Sequence, residues 1–237
     1  MKVNSRVWQI FYDSLITYGG YKDVLLGLKN TMLIAVFGLA IGIVIGTIIA
    51  ISKVVPQYKP IVRIWSKINS AYVSLFRGTP ILVQLLVINF VLFPALNIQG
   101  VDKLLIAIVA FGLNSGAYVS EIMRAGIQSV DKGQLEAGRS LGMSYVRTMW
   151  NIVIPQAIKN ILPTLGNEFI SLIKETSVVS FIAVVDITKA FKSIADSTYQ
   201  YIIPYLALAL VYLVIVILFS MLVKAMERRL CKSDKRN

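Results

Sequence analysis

The chain has 237 residues, 57% of them hydrophobic and 15% charged, with a formal net charge of +12 and a mean hydropathy of +0.72. Such a balance excludes an ordinary soluble domain and marks an integral membrane protein. Histidine is absent, Cys231 is the only cysteine and no Gly-x-x-x-x-Gly-Lys-[Ser/Thr] occurs, which excludes imidazole catalysis, a disulfide framework and a Walker-type phosphate cradle.

Residues 1–30 precede the first long apolar run and carry Asp13, Lys22, Asp23 and Lys29, a pattern unlike a cleavable signal peptide. They form an expected extracytoplasmic segment. Trp8, Phe11, Tyr12, Leu15 and Gly19 follow helical spacing, so either a short interfacial helix broken at Gly19-Gly20 or a frayed terminus fits. A bilayer core of about 30 Å needs roughly 20 apolar helical residues, and five stretches are predicted to supply them. They are Thr31–Ser52, Gly78–Gln99, Leu104–Ser120 (extendable to Met123), Phe169–Ile187 and Tyr201–Val223. Residues 31–223 are thus expected to form one all-α transmembrane domain, with a polar loop at about 126–165 and a basic tail at 224–237.

In a soluble protein this net charge would suggest nucleic acid, yet its distribution argues for topology instead. Lys53, Lys59, Arg63, Lys67 and Arg77 lie between spans one and two, and Arg124, Lys132, Arg139, Arg147 and Lys159 between spans three and four. Lys224, Arg228, Arg229, Lys232, Lys235 and Arg236 follow span five. Alternating spans put all three groups on one side, which the positive-inside rule makes cytoplasmic, with the N-terminus outside and the C-terminus inside. Lys2, Arg6, Lys22, Lys29, Lys103, Lys189 and Lys192 are the outer minority. The basic tail would anchor topology or contact anionic lipid.

On span one, Gly38, Gly42 and Gly46 make two Gly-x-x-x-Gly steps, and Gly112 and Gly116 make another on span three. Both predict close helix packing, within the subunit rather than between subunits. Polar groups inside spans are costly and therefore informative. Asn114, Ser115 and Tyr118 give span three a polar face. Glu168, Ser171 and Glu175 give span four another, with Lys174 beside it. Lys174 and Glu175 are adjacent and do not face each other on a helix. These seven residues are candidates for a path or gate for a zwitterion. The alternative is that they staple helices together or brace the cytoplasmic end of span four.

In the long polar gap, Glu136, Ala137, Gly138, Arg139, Ser140, Leu141 and Gly142 are continued by Ile152-Val153-Ile154-Pro155. Small residues beside Glu136 would let a short helix sit close against another protein, Leu141 and Met143 offer apolar contacts, and Gly142 suits a helix stop. Glu136 and Arg139 share a face. This island resembles the EAA loop of the membrane subunits of ABC importers, with Gly138 in place of the third-position Ala and Ile154 in place of Leu, both swaps being read as near-neutral.

Further stretches resemble the permease subunits of polar amino-acid ABC importers, the histidine/glutamine/arginine type. They are Phe76-Arg77-Gly78-Thr79-Pro80, Ala117-Tyr118-Val119-Ser120-Glu121-Ile122, Arg124-Ala125-Gly126-Ile127-Gln128-Ser129-Val130, and Gly166 to Leu172 running into Lys174-Glu175-Thr176-Ser177. The resemblance covers roughly residues 24–228. It implies a type I importer fold with five transmembrane helices in a bacterial cell membrane, paired with a second permease subunit in a homodimer or heterodimer. It also implies two ATP-binding subunits, which would hold ATP and Mg, and an extracytoplasmic amino-acid-binding protein. This chain would bind no cofactor and catalyse no reaction. Residues 134–145 would be a coupling helix, with Glu136 contacting the ATPase groove and Gly142 keeping the turn. The rival reading is a stand-alone secondary transporter with Lys174, Glu168 and Glu175 as an ion relay, although no repeated pair of broken helices is visible.

Overall fold

A computed structural model describes residues 2–54 and 60–234, with side chains described for 6–53 and 60–230. Lys59, Lys235 and Arg236, counted above among the cytoplasmic charges, lie outside the described residues, as do the side chains of Lys2, Cys231 and Lys232. Every regular element among the described residues is helical.

Helix α1 (Lys2–Tyr12) continues through a π-helical turn, Asp13–Thr17, to a reversal at Gly19, whose φ is +80°. Its Phe11 is buried with Phe191, Ile194 and Ile203, while Trp8 and Tyr12 remain exposed. Helix α2 then runs from Gly20 to Val54, 35 residues. The first span was expected to begin at Thr31, so residues 20–30 join the span helix instead. They do so because Gly27 lets the backbone at Asp186 come within 2.5 Å of where a Cβ would stand, and Asn30 Nδ2 donates to the Val185 carbonyl at 2.8 Å.

Three helices are long and apolar enough to cross a membrane: Gly20–Lys53, Lys103–Gln128 and Ile202–Leu230. By the same measure α3 (Pro60–Gly78) and α4 (Ile81–Ala95) reach that length and hydropathy only together, as a pair bent by 109°. α4 carries a π-helical turn at Ile88–Leu92. The expected second span, Gly78–Gln99, thus starts at Ile81, and the basic stretch between spans one and two, for which no element was expected, forms α3. Its amphipathicity is inverted. Ile61, Ile64, Trp65, Ile68 and Leu75 are exposed, whereas Ser66 and Asn69 are buried, with Asn69 Nδ2 donating to Ser52 Oγ at 2.7 Å. A lipid-facing surface rewards that arrangement, since hydrocarbon offers polar groups no partner.

Helix α5 (Lys103–Gln128) is capped by Asp102, which accepts from the Leu104 amide at 2.9 Å. It is the central element, with 61% of its apolar window buried, against 6% for the last helix. After the short α6 (Lys132–Ser140) and α7 (Tyr145–Thr148), a π-helical turn at Met149–Val153 leads into α8, Ile154–Glu175. A 3₁₀ segment, Thr176–Ile182, ends at Ala183 in the left-handed region. The expected fourth span, Phe169–Ile187, is therefore displaced towards the N-terminus. Twenty-two residues give α8 a length of roughly 33 Å, but Lys159, Glu168, Lys174 and Glu175 dilute its hydropathy, and its apolar face, Leu165, Leu172 and Ile173, is buried. Helix α9 (Ile187–Thr198), capped by the buried Asp186, and the peripheral α10 (Ile202–Asp234) complete the chain.

The close contact between α2 and α5 organises the bundle. A Cβ on Gly42 would stand 2.7 Å from Ser115 Oγ, and one on Gly46 2.7 Å from Val119 Cγ1 and 2.8 Å from the Ser120 amide. From the other side, Gly112 and Gly116 receive Ile41 and Ile45. Both glycine ridges pack within the subunit. At the loop end of the same helix pair, Lys53 Nζ meets Glu121 Oε1 at 2.6 Å, and Arg124 Nη2 meets Glu121 Oε2 at 2.7 Å. Gly46→Val should overpack this contact by about 1–3 kcal/mol. Thermal unfolding of the purified chain in detergent should show a lower midpoint than wild type, with an equal midpoint arguing that the helices can separate at no cost.

Candidate functional site: a polar seam and a capped loop helix

The polar residues of α5 and α8 meet in the middle of the bundle. Asn114 and Ser115 are buried on α5, and Ser115 Oγ donates to Glu168 Oε1 at 3.0 Å. The Ser115 side chain fits because Gly42 of α2 leaves the space behind it open. Asn114 Nδ2 donates to Gln84 Oε1 of α4 at 2.8 Å. Tyr118, one turn further along α5, is partly exposed, and the Arg77 guanidinium stacks over its ring at 5.4 Å from the centroid.

Ser171 is half-buried one turn beyond Glu168, and Lys174 and Glu175 are exposed at the last two positions of α8. That end of α8 is opposite the one that joins the polar loop. Asn114, Ser115 and Glu168 are thus joined directly or through adjacent residues, and Tyr118 adjoins them, whereas Lys174 and Glu175 stand apart.

Two residues of this region escaped the sequence reading. Arg77 had been counted as a topology charge and as part of a family-like stretch but not as a path candidate, although a cation placed over an aromatic face inside a membrane protein calls for its own explanation. Gln84 carried no signal by residue type. Its position did carry one, because it lies four residues after Pro80, at a point where a helix must restart.

The loop candidates form a second unit. Asp131 caps α6, accepting from the Gly133 amide at 2.6 Å. The helix closes at Gly142, φ +80°, where Gly142 N donates to the Arg139 carbonyl at 3.0 Å and Met143 N to the Gly138 carbonyl at 3.2 Å. This pair of bonds is the Schellman closure, which favours glycine at the left-handed position. Arg139 turns back on its own helix end, with Nη1 donating to the Met143 carbonyl at 3.0 Å.

Glu136 and Ala137 are exposed, as is Leu141 at 82%. Val146 and Trp150, also exposed, extend an apolar rim beyond it. Gly138 faces inward instead. A Cβ there would stand 2.5 Å from Thr148 Cγ2 and 3.1 Å from Ile152 Cδ1, so its exchange with alanine, read from sequence as near-neutral, is not so in this packing. The described residues contain no group of three or more metal-ligating side chains.

Comparison with known proteins identifies the setting. The profile of the family described as "Binding-protein-dependent transport system inner membrane component" matches residues 42–232. The Bacillus subtilis "Arginine transport system permease protein ArtQ" is 40% identical over 211 residues, 89% of this chain and 94% of that protein. The "Putative glutamine transport system permease protein GlnP" of Rickettsia prowazekii is 39% identical over 204 residues, 86% of this chain and 91% of that protein. The Bacillus subtilis "L-cystine transport system permease protein TcyB" is 40% identical over 205 residues, 86% of this chain and 85% of that protein.

A solved structure described as "Crystal structure of an amino acid ABC transporter with histidines" superposes with a TM-score of 0.82 at 40% identity, covering 92% of this chain and 98% of that one. An inward-facing structure of the MetNI methionine ABC transporter, at 17% identity and a TM-score of 0.67 over 92% of this chain and 97% of that one, shares the fold.

The Gly138 contact yields a direct check. Gly138→Ala should push α6 away from Thr148 and Ile152, an overpacking cost of about 1–3 kcal/mol. Limited proteolysis of the 131–145 loop should then run faster than in wild type. An unchanged rate would mean that Thr148 yields without displacing the helix.

Proposed function

The chain belongs to the family of binding-protein-dependent transport system inner membrane components, and on that footing we propose how it works as the multi-pass permease subunit of an ABC importer for a polar amino acid. The single observation that carries the transport path is the contact of Ser115 with Glu168 at the centre of the bundle. A carboxylate set among neutral hydrogen-bonding groups between α5 and α8 suits the ammonium of a zwitterion. Arg77, over Tyr118 on the same α5 face, supplies the opposite charge. Ser171, Lys174 and Glu175 would extend the lining towards the far end of α8, and Tyr118 towards the loop end.

The chain would lie in a bacterial cell membrane with its N-terminus outside and its C-terminus in the cytoplasm. An extracytoplasmic binding protein would deliver the amino acid, a second permease subunit would complete the path, and two ATP-binding subunits would hold ATP and Mg and perform the hydrolysis. The relatives of known description are permeases of arginine, glutamine and cystine systems, which supports an amino acid as the transported solute and leaves its side chain to the partner that selects it.

The α6 loop would receive the ATPase subunit. Glu136, Ala137 and Leu141 are exposed on it, Arg139 stiffens its end, and Gly138 and Gly142 fix its seat and its closure. Closure of the ATPase pair on nucleotide would push α6 against α7 and the π-helical turn, and so move α8, which bears Glu168. Differential affinity of the partners for the two arrangements alternates access to the seam.

In proteoliposomes containing the permease, the ATPase subunit and the binding protein, uptake and ATP hydrolysis should both require the loaded binding protein. Uptake by this chain alone, driven by an ion gradient, would overturn the importer reading. Glu136→Lys and Gly142→Asp should each abolish uptake while the protein still reaches the membrane, and normal uptake by both would sink the docking assignment. Glu168→Gln should cut uptake roughly 10- to 100-fold, the worth of one hydrogen bond to a charged group, while leaving the ATPase subunit bound. Undiminished uptake would move the path elsewhere.

A further inference from the structure

The bend of 109° between α3 and α4 creates a specific backbone problem. In a continuous helix the Phe76 carbonyl would accept from the amide four residues on, but that residue is Pro80, which has no N–H. Thr79, the residue before the Pro80 cap of α4, likewise has a carbonyl without a helical donor. Pro80 itself sits in extended geometry and contributes no side-chain cap.

Gln84 answers all of this with one side chain. The two N–H groups of its Nε2 are shared among the Phe76 carbonyl at 2.8 Å, the Thr79 carbonyl at 2.9 Å and Thr79 Oγ1 at 2.9 Å. Its Oε1 accepts from Asn114 Nδ2 at 2.8 Å. The residue is 8% exposed. Thr79 Oγ1 in turn donates to the Leu75 carbonyl at 2.8 Å, and the Tyr72 hydroxyl donates to the Leu113 carbonyl, one residue before Asn114. The elbow is thus bound to α5 at two neighbouring points, next to the Ser115 that holds Glu168.

We propose that Gln84 is a positioning residue for transport: its amide locks the α3–α4 elbow and ties it to Asn114, so that Arg77 and the polar face of α5 move as one body. The inference rests on the reading of the seam as the transport path. A bent pair without this clamp would have a free hinge at Gly78, where nothing stands within 4 Å of a Cβ, and a displacement arriving at α5 would be lost in the hinge. With the clamp, the displacement reaches Arg77.

Gln84→Met keeps the length of the side chain and removes every hydrogen bond. The elbow is read by the spin-label distance between Ile64→Cys and Phe90→Cys, both exposed positions, in a Cys231→Ser chain diluted with label-free copies and assembled with its ATPase subunit. Wild type should give a narrow distribution and Gln84→Met a broad or shifted one. In proteoliposomes, amino acid carried per ATP hydrolysed should fall about tenfold, the equivalent of one to two net hydrogen bonds.

A merely structural role would lower the yield of assembled complex or its melting point and leave both readouts as in wild type. Either an unchanged distance distribution or an unchanged ratio of uptake to hydrolysis in the assembled complex overturns the proposal. If Gln84→Met fails to assemble, Thr79→Val removes one of the three acceptors and is read by the same criteria. Should wild type itself show no ATP-driven uptake of any amino acid, the transport reading falls on that result alone, while the distance distributions still decide whether Gln84 locks the elbow.

Discussion

Close approach of α2 and α5 is the constraint on which the other features depend. In hydrocarbon there is no hydrophobic drive to join two apolar helices, so association rests on dispersion at short range and on the few polar contacts that short range allows. Gly42 and Gly46 on one side and Gly112 and Gly116 on the other supply that range. The same contact sets the site. With Gly42 lacking a side chain, Ser115 sits against α2 and still presents its hydroxyl to Glu168. The ion pair of Lys53 with Glu121 closes the loop end of the same interface, where water and headgroups can share the load of the charges.

Around that pair the chain distributes polarity in the opposite sense to a soluble protein. α3 turns isoleucines and Trp65 outward and keeps Ser66 and Asn69 inside. α8 buries its apolar face in the bundle and brings Glu168 to the seam, while α10 packs one face, with Tyr212, Ile215 and Phe219, on the core and turns Leu206, Leu210, Leu213 and Ile217 to the outside. Polar contacts thus lie along α5: Asn69 with Ser52 beside it, Gln84 with Asn114, Ser115 with Glu168. Each satisfies groups that lipid could not.

Where hydropathy ran unbroken, in α2, α5 and α10, the elements were legible in the sequence, and the two glycine ridges were legible from spacing alone. α3 was not, because Arg63 and Lys67 were read only as charges between spans while its apolar positions, at helical spacing, faced lipid rather than a core. α8 was placed too late, since Lys159 and Glu168 lower its hydropathy in the first two thirds of the helix, Glu168 because it is turned towards Ser115 of α5. Of the seam residues, Asn114, Ser115 and Glu168 were found by the cost of burying polar groups. Gln84 and Arg77 were not: the missing amide at Pro80 was readable, but that the Gln84 side chain turns back to Phe76 and Thr79, and that Tyr118 lies under Arg77, follows only from the bend. Gly138 was taken as equivalent to alanine, a similarity of size that holds until Thr148 occupies the space.

The closure of the α6 loop at Gly142, with Asp131 at its other end and Gly138 seated on Thr148, gives that segment its shape without help from outside. A surface folded in advance loses little conformational entropy when it is covered, so almost all of the contact free energy remains available for affinity. Under the proposed docking role, the segment would therefore be able to be small and still hold its partner, releasing and rebinding without folding again each time.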